Sequence, residues 1–336
     1  MKKSYVTIKT VAKELNMSVS TISRVINDKP DVSEETKKIV LNKVEELGYV
    51  RNVTATMMRN KKSLTVGVIF ESEFDPFFSE ILQGIEKGVS KYDYRMLLMN
   101  TELRKEESKS VMNMLMEHRV DGIIIVPSSP DIAYIKPLVE RKFPIVIIGR
   151  NYEEFEVDEV YTDDIHGGVM AGEYLMEKNR TRLLMINSPF SNSASQMREK
   201  GFLQAIDNSK GKIHYRIINT KETDYKSTTH IIDSLYPKEK GIEIPYDGIF
   251  CFNDMRAFAV INALRKKKIN IPSEVSVVGY DNIFFSSIFS PELTTINIDK
   301  EKEGYEAMKM LVQKIRGNRK RTKQKILDVA LVKRET

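Results

Sequence analysis

Apolar residues in the first fifty positions recur at helical spacing, in three short bursts. Ile8, Val11, Ala12 and Leu15 fall at i, i+3, i+4 and i+7, a single stripe that predicts an amphipathic helix. Asn16-Met17 breaks the pattern as a turn, and Ser18 stands where a hydroxyl caps the next helix. In that second helix Val19, Ile22 and Ile26 are expected to point inward, leaving Ser20, Thr21, Ser23, Arg24 and Asn27 on the outer face. Ser33 with Glu34 and Glu35 opens a third helix, whose apolar face is Ile39, Val40, Val44 and Leu47 and which Gly48 ends. Two short helices around a tight turn, backed by a third, form an all-α unit that can enter a DNA major groove. The outer face of the second helix suits groove reading, because hydroxyls bond phosphates or base edges and a guanidinium forks onto guanine.

From Leu64 the pattern changes to apolar runs of strand length alternating with amphipathic helices. The runs are 64–70, 96–99, 122–126, 145–148, 183–186, 249–252 and 275–279, and stripes such as Phe78, Ile81, Leu82, Ile85 and Val89 lie between them. Continuous apolar strands separated by helices predict parallel sheets covered on both faces. Two sets of such units, split near residues 150–165 with later crossovers, predict an α/β core of two doubly wound parallel-sheet subdomains. A further strand is expected over 326–332. In this architecture ligands bind beyond the carboxyl ends of strands, which singles out the residues after each run.

Charge sharpens the division. Residues 1–62 hold 13 Lys and Arg against 7 Asp and Glu, whereas residues 63–336 hold 40 of each, so the net charge of +6 lies wholly in the first segment. That distribution fits phosphate binding better than general solubility. Three domains follow: a helix-turn-helix over 1–50, a linker over 51–63 and a core over 64–336. Within the linker, adjacent Met57 and Met58 flanked by Arg51, Arg59, Lys61 and Lys62 have the equipment of a minor-groove wedge, and the segment is too short to be helical alone. The single cysteine, Cys251, lies in an apolar run and reads as a buried, inert thiol. No apolar stretch approaches the ~20 residues of a membrane span and no signal sequence opens the chain, which predicts a soluble cytoplasmic protein. His118, His166, His214 and His230 lack ligand-like spacing, so neither a metal nor another cofactor is expected.

The segments Thr7–Ala12, Val19–Asn27, Val120–Ile124, Val275–Asn282 and Pro291–Ile296, in this order and spacing, resemble the LacI/GalR family of bacterial transcriptional regulators along nearly the whole length. The resemblance implies a homodimer on a near-palindromic operator, a hinge helix that folds on DNA, and a core similar to type I periplasmic sugar-binding proteins, with no catalytic step. It places the base-reading residues on Val19, Ser20 and Arg24, with Thr7, Ser18, Thr21, Ser23 and Asn27 nearby and Asn52, Ala55 and Met58 in the hinge. Met58 stands where the family has a leucine wedge. With no heptad tail after 326–332, a tetramer is not expected. The effector cleft it implies maps onto Phe77, Phe78, Ser128, Arg150, Arg198, Asn253, Asp254 and Asp281. Arg198 brings a planar donor fork and Asp254 and Asp281 bring acceptors, a set that holds neighbouring hydroxyls of a sugar. Gly149-Arg150 replaces an acid that some relatives carry after the fourth strand.

The leading expectation is a repressor gated by a sugar or sugar derivative. The alternatives are a regulator gated by a protein partner, one gated by a nucleoside-type ligand, and an enzyme with a fused DNA-binding part. The last has no support from a phosphate-cradling Gly-rich loop, a His-Glu-x-x-His or a Gly-x-Ser-x-Gly motif.

Overall fold

The computed structural model describes residues 6–49, 62–70, 76–101, 105–127, 131–149, 152, 155–188, 193–209, 211–220, 225–236, 244–318 and 321–336. The chain divides into two compact units, residues 1–63 and 64–336.

In the first unit, helices α1 (Ile8–Glu14), α2 (Val19–Ile26) and α3 (Glu34–Glu46) enclose Val11, Ala12, Ile22, Val25 and Val40. Asn16 takes a left-handed backbone (φ 48°) at the turn between α1 and α2. Two expectations need correction. Val19 is 42% exposed and Ile39 44%, whereas Val25 is buried. The buried stripe of α2 is centred between Ile22 and Val25, about a quarter turn from Val19, which therefore clears the edge of this small core.

The second unit contains two six-stranded sheets among the described residues. Sheet 1 comprises β1 (Thr65–Phe70), β2 (Arg95–Asn100), β3 (Gly122–Val126), β4 (Ile145–Ile148), β5 (Asp158–Thr162) and β11 (Gln324–Leu327), in the order β11-β5-β4-β3-β1-β2. Sheet 2 comprises β6 (Arg182–Asn187), β7 (His214–Asn219), β8 (Gly248–Cys251), β9 (Ser276–Asp281), β10 (Thr294–Ile298) and β12 (Val329–Val332), in the order β12-β10-β9-β8-β6-β7. Alternate residues of sheet 1 feed opposite faces: Val66, Val68, Ile124 and Val146 join one core, Ile69, Ile123, Ile125 and Ile147 the other. This explains the unbroken apolar runs. The second of those cores is closed by α5 (Lys105–Glu117) and α6 (Lys136–Glu140), and one face of sheet 2 by α9 (Tyr225–Leu235) and α10 (Asp254–Lys266).

The strand expected over 326–332 is two strands. Residues 324–327 pair with β5 in sheet 1, and residues 329–332 pair antiparallel with β10 in sheet 2, with Asp328 between them. Sheet 2 is thus parallel except at one edge. The chain also crosses at Asp163 and Asp299, each of which caps a helix: His166 N–H donates to Asp163 and Lys302 N–H to Asp299, both at 3.0 Å. The first crossover leads from β5 into α7 (Asp164–Glu177), packed on the other face of sheet 2. The second leads from β10 into α11 (Lys300–Ile315), packed on sheet 1 against α4 (Pro76–Lys91). Gly84 and Gly304 let these two helices touch, since a Cβ on Gly84 would lie 1.9 Å from the Glu301 carbonyl oxygen.

Candidate DNA interface and effector cleft

Hydroxyls define all three helix starts of the amino-terminal unit, Ser33 Oγ accepting from Thr36 N–H at 3.3 Å at the start of α3. Thr7 and Thr10 cap each other reciprocally, backbone N–H to side-chain oxygen at 3.3 Å in each direction. Ser18 Oγ accepts from Thr21 N–H at 3.0 Å and lies 2.7 Å from Ser20 Oγ and 2.8 Å from Thr21 Oγ1. Ser18 therefore serves α2 itself, while Val19, Ser20 and Arg24 stand exposed in front of it. Asn27 turns back, its Nδ2 donating to the Ser23 carbonyl at 2.5 Å. Arg24 pairs with Asp31 at 3.1 Å, and both side chains are at least half exposed, so the pair is screened and easily exchanged for a phosphate or a base. Asn52, Ala55 and Met58 lie outside the described residues.

In the core, the groups that follow the strands of both sheets meet around Arg198, a residue of α8 (Ser193–Asp207). Its Nε donates to Asp164 Oδ1 at 2.9 Å, its Nη1 donates to the Phe252 carbonyl at 2.6 Å, and its Nη2 lies 3.6 Å from Asp281 Oδ1. The guanidinium carbon sits 3.6 Å from the centre of the Tyr280 ring and 4.6 Å from that of Phe252. Burial alone would lower the Arg198 pKa, but Asp164 and Asp281 outweigh it, and the guanidinium stays charged. Asp281 ends β9 with a left-handed φ of 106°. Asp164 opens α7, and Arg198 and Asp281 likewise belong to the sheet 2 subdomain, so this cluster lies within that subdomain, next to the crossover from sheet 1.

Lys300 of α11 reaches from the sheet 1 subdomain to the sheet 2 subdomain. Its Nζ donates to the carbonyls of Asp281 at 2.5 Å, Asn282 at 3.1 Å and Ile298 at 3.4 Å, and pairs with Glu80 of α4 at 3.2 Å. Phe77, half-buried, packs against the cores of both sheets, whereas Phe78 turns into sheet 1, edge-on to Phe70 at 5.4 Å. Two expected cleft residues are committed elsewhere. Asn253 caps α10 by accepting from Arg256 N–H at 3.1 Å. Asp254, fully buried, accepts from Ile283 N–H (2.9 Å), Ser286 Oγ (2.6 Å) and Thr295 Oγ1 (2.5 Å). Burial nonetheless pushes its carboxyl up to about 6 against the pull of those bonds. Ser128 and Arg150 lie outside the described residues.

Among the described residues no group of His, Cys, Asp and Glu could hold a metal ion, and no helix is long and apolar enough to cross a membrane. Cys251 is buried and its thiol is pushed up by desolvation. The model of the bacterial regulatory proteins of the lacI family matches residues 7–52, and that of the periplasmic binding proteins and sugar binding domain of the LacI family matches residues 63–335. The chain belongs to the LacI family.

It is 31% identical over 312 residues to the HTH-type transcriptional repressor PurR of Aliivibrio fischeri (strain MJ11), covering 92% of each. The lac repressor dimer bound to operator and the anti-inducer ONPF shares its fold, with a TM-score of 0.83, 24% identity and 99% of each chain covered. A LacI family regulator from Enterococcus faecium with bound ribose superposes with a TM-score of 0.70 and 27% identity over 81% of this chain and 97% of that one. This LacI-family chain is thus a DNA-binding transcriptional repressor.

Three charged residues around Arg198 and Lys300 escaped the sequence reading. Asp164 follows β5, which its own acids disguise: Asp158 and Glu159 are buried and bonded to Lys323 N–H and Tyr152 N–H at 2.7 and 2.6 Å. Lys300 and Glu303 open α11, which no preceding run of Val and Ile announces. The signal that could have found them is the spacing shared by Asp163–Gly168 and Asp299–Gly304, in each of which a capping acid is followed five residues later by a glycine that admits a close neighbour.

Proposed function

We propose that this repressor binds its operator as a homodimer and is gated by a sugar or sugar derivative held between the core subdomains. The observation that carries the reading is Arg198, stacked on Tyr280 and forked between Asp164 and Asp281 beside the crossover from sheet 1, with Lys300 close by linking Asp281 to Glu80 of the other subdomain. Paired charges there offer donors and acceptors to vicinal hydroxyls, and a ligand that displaces the Lys300 contacts to Asp281 or Glu80 changes how the subdomains are joined. The ribose-bound relative supports the ligand class. On the DNA side, Val19, Ser20 and Arg24 read bases, while Thr7 and Ser18 hold the helix starts against the backbone.

Self-association has its own surface. Phe284, Phe285 and Ile288 are 67%, 45% and 61% exposed on one turn, which Asp254 pins through Ile283 and Ser286. A rigid apolar ridge of this kind fits a second copy of the chain.

A thermal-shift screen of the intact protein against sugars, sugar phosphates and nucleosides tests the reading, since a ligand at 100 times its Kd stabilises by about 2.7 kcal/mol. Arg198→Ala and Asp281→Ala are each expected to abolish the effector response while operator binding without effector survives. Phe77 favours a second reading, a flat nucleobase stacked between the subdomains, under which Phe77→Ala is the more damaging change. If all three variants keep the wild-type response, gating comes from outside the cleft, as by a protein partner.

A further inference from the structure

Glu303 is a carboxyl in the wrong solvent. It lies in the first turn of α11, 1% exposed, and neither of its oxygens has a hydrogen-bond partner. Its position explains why it cannot escape: α11 begins at the crossover after β10, and Gly304, whose Cβ would lie 2.1 Å from the Ile81 carbonyl oxygen, locks that turn onto α4. Buried polar atoms are nearly always bonded, and an unbonded one costs stability, so an orphaned acid is retained where something other than the folded chain satisfies it. The charges that act on Glu303 are Asp164, Lys300, Arg198 and Asp299, of which Asp164 and Arg198 pair with each other and Lys300 bridges the subdomains.

The neighbouring cations are already occupied. Lys300 spends its donors on three carbonyls and Glu80, and Arg198 lies between Asp164 and Asp281. An anion entering this cluster meets carboxylates whose countercharges are taken, whereas a hydroxyl meets an acid that can give one hydrogen bond and take another.

We propose that Glu303 faces the effector and selects its class: an uncharged polyol whose hydroxyl bonds the Glu303 carboxyl, to the exclusion of its phosphorylated counterpart. This rests on the cleft reading above and adds to it the residue that sets the charge of the ligand. Burial, and after it the Asp164 charge, push the Glu303 carboxyl up to about 8, which keeps it a neutral acid, able to donate, at neutral pH.

The test uses the full-length protein, with thermal shift and calorimetry against D-ribose, D-xylulose and cellobiose, each beside its phosphate ester, and hypoxanthine as a ring without hydroxyls. At least one unphosphorylated sugar is expected to bind, and its phosphate ester to bind at least about tenfold more weakly. Glu303→Leu is expected to weaken the sugar by about tenfold or more, yet to raise the melting temperature of the ligand-free protein, because it removes an unsatisfied acid. A purely structural Glu303 gives the opposite: a lower melting temperature and an unchanged Kd. The proposal is overturned if only phosphate esters or hypoxanthine bind, if none of the sugars binds, or if Glu303→Leu binds the sugar as wild type does. In that last case Arg198→Ala separates the two readings: loss of binding leaves the cleft in place without Glu303, and retained binding removes the cleft as well.

Discussion

Glu303 also makes the molecule's stability depend on pH in a direction that can be worked out in advance. Its folded carboxyl, pushed up to about 8 first by burial and then by Asp164, with Asp299 adding to the push and Lys300 and Arg198 opposing it, holds a proton that the unfolded chain loses near 4.5. Between those two values the folded state binds more protons than the unfolded state, so stability falls as pH rises. Glutamine has no proton to lose, and Glu303→Gln is therefore expected to melt higher than wild type by a margin that grows from pH 5 to pH 8. Asp254, pushed up to about 6, acts with the same sign in both proteins and cancels from the comparison. A margin independent of pH, in calorimetric scans at both values, would show that Glu303 ionises in the folded protein as it does in water. At this scale the sequence was legible for the Ser18 cap, which acts on its own turn of helix, and it singled out Arg198 and Asp281, which the fold brings within 3.6 Å of each other. It was opaque for Asp254 and Asn253, because the donors that claim them come from residues 283–295 and from the next turn of helix.

Elements were legible in proportion to how apolar they are. The seven runs of Val, Ile, Leu and Met each lie on or overlap a strand; six of these strands are covered on both faces and have no polar face to confuse the pattern, while 96–99 is apolar on a partly exposed edge strand. The edge strand His214–Asn219 was missed since most of its residues are exposed, and 324–332 was read as one strand since nothing in its composition marks Asp328 as the change of sheet. Helix contacts, by contrast, are written in glycine. With the Glu301 carbonyl oxygen only 1.9 Å from a Cβ on Gly84, Gly84→Ala forces α4 and α11 apart. We expect it to destabilise the core by about 1–3 kcal/mol or more, read as a lower urea midpoint with an unchanged slope. Gly48→Ala is the control, because nothing lies within 4 Å of its Cβ, and its cost comes from its left-handed φ of 59° alone. Equal losses at the two sites would mean that the helices accommodate the extra carbon without separating.

For the whole molecule, the proposed reading assigns phosphate attraction to residues 1–62, where the net charge lies, and self-association to the exposed ridge at 284–288. Replacing Phe284 and Phe285 together by Asp is expected to give monomers in sedimentation at micromolar concentration. Operator affinity should then drop steeply, since one helix-turn-helix reads only a half-site, while effector binding to the core is retained. Dimers that persist with both aspartates would move the self-association surface elsewhere. Finally, the three crossovers govern how the protein can be made. Sheet 1 is bordered by strand 324–327 and overlaid by α11, both of which follow nearly all of sheet 2 along the chain. A nascent chain leaving the ribosome therefore cannot finish its first subdomain and then begin its second; the early strands wait, partly uncovered, until residues 300–327 are translated, and both halves close together. A stop between residues 318 and 324 would strip an edge from each sheet at once, and so gives an aggregation-prone product instead of a smaller repressor.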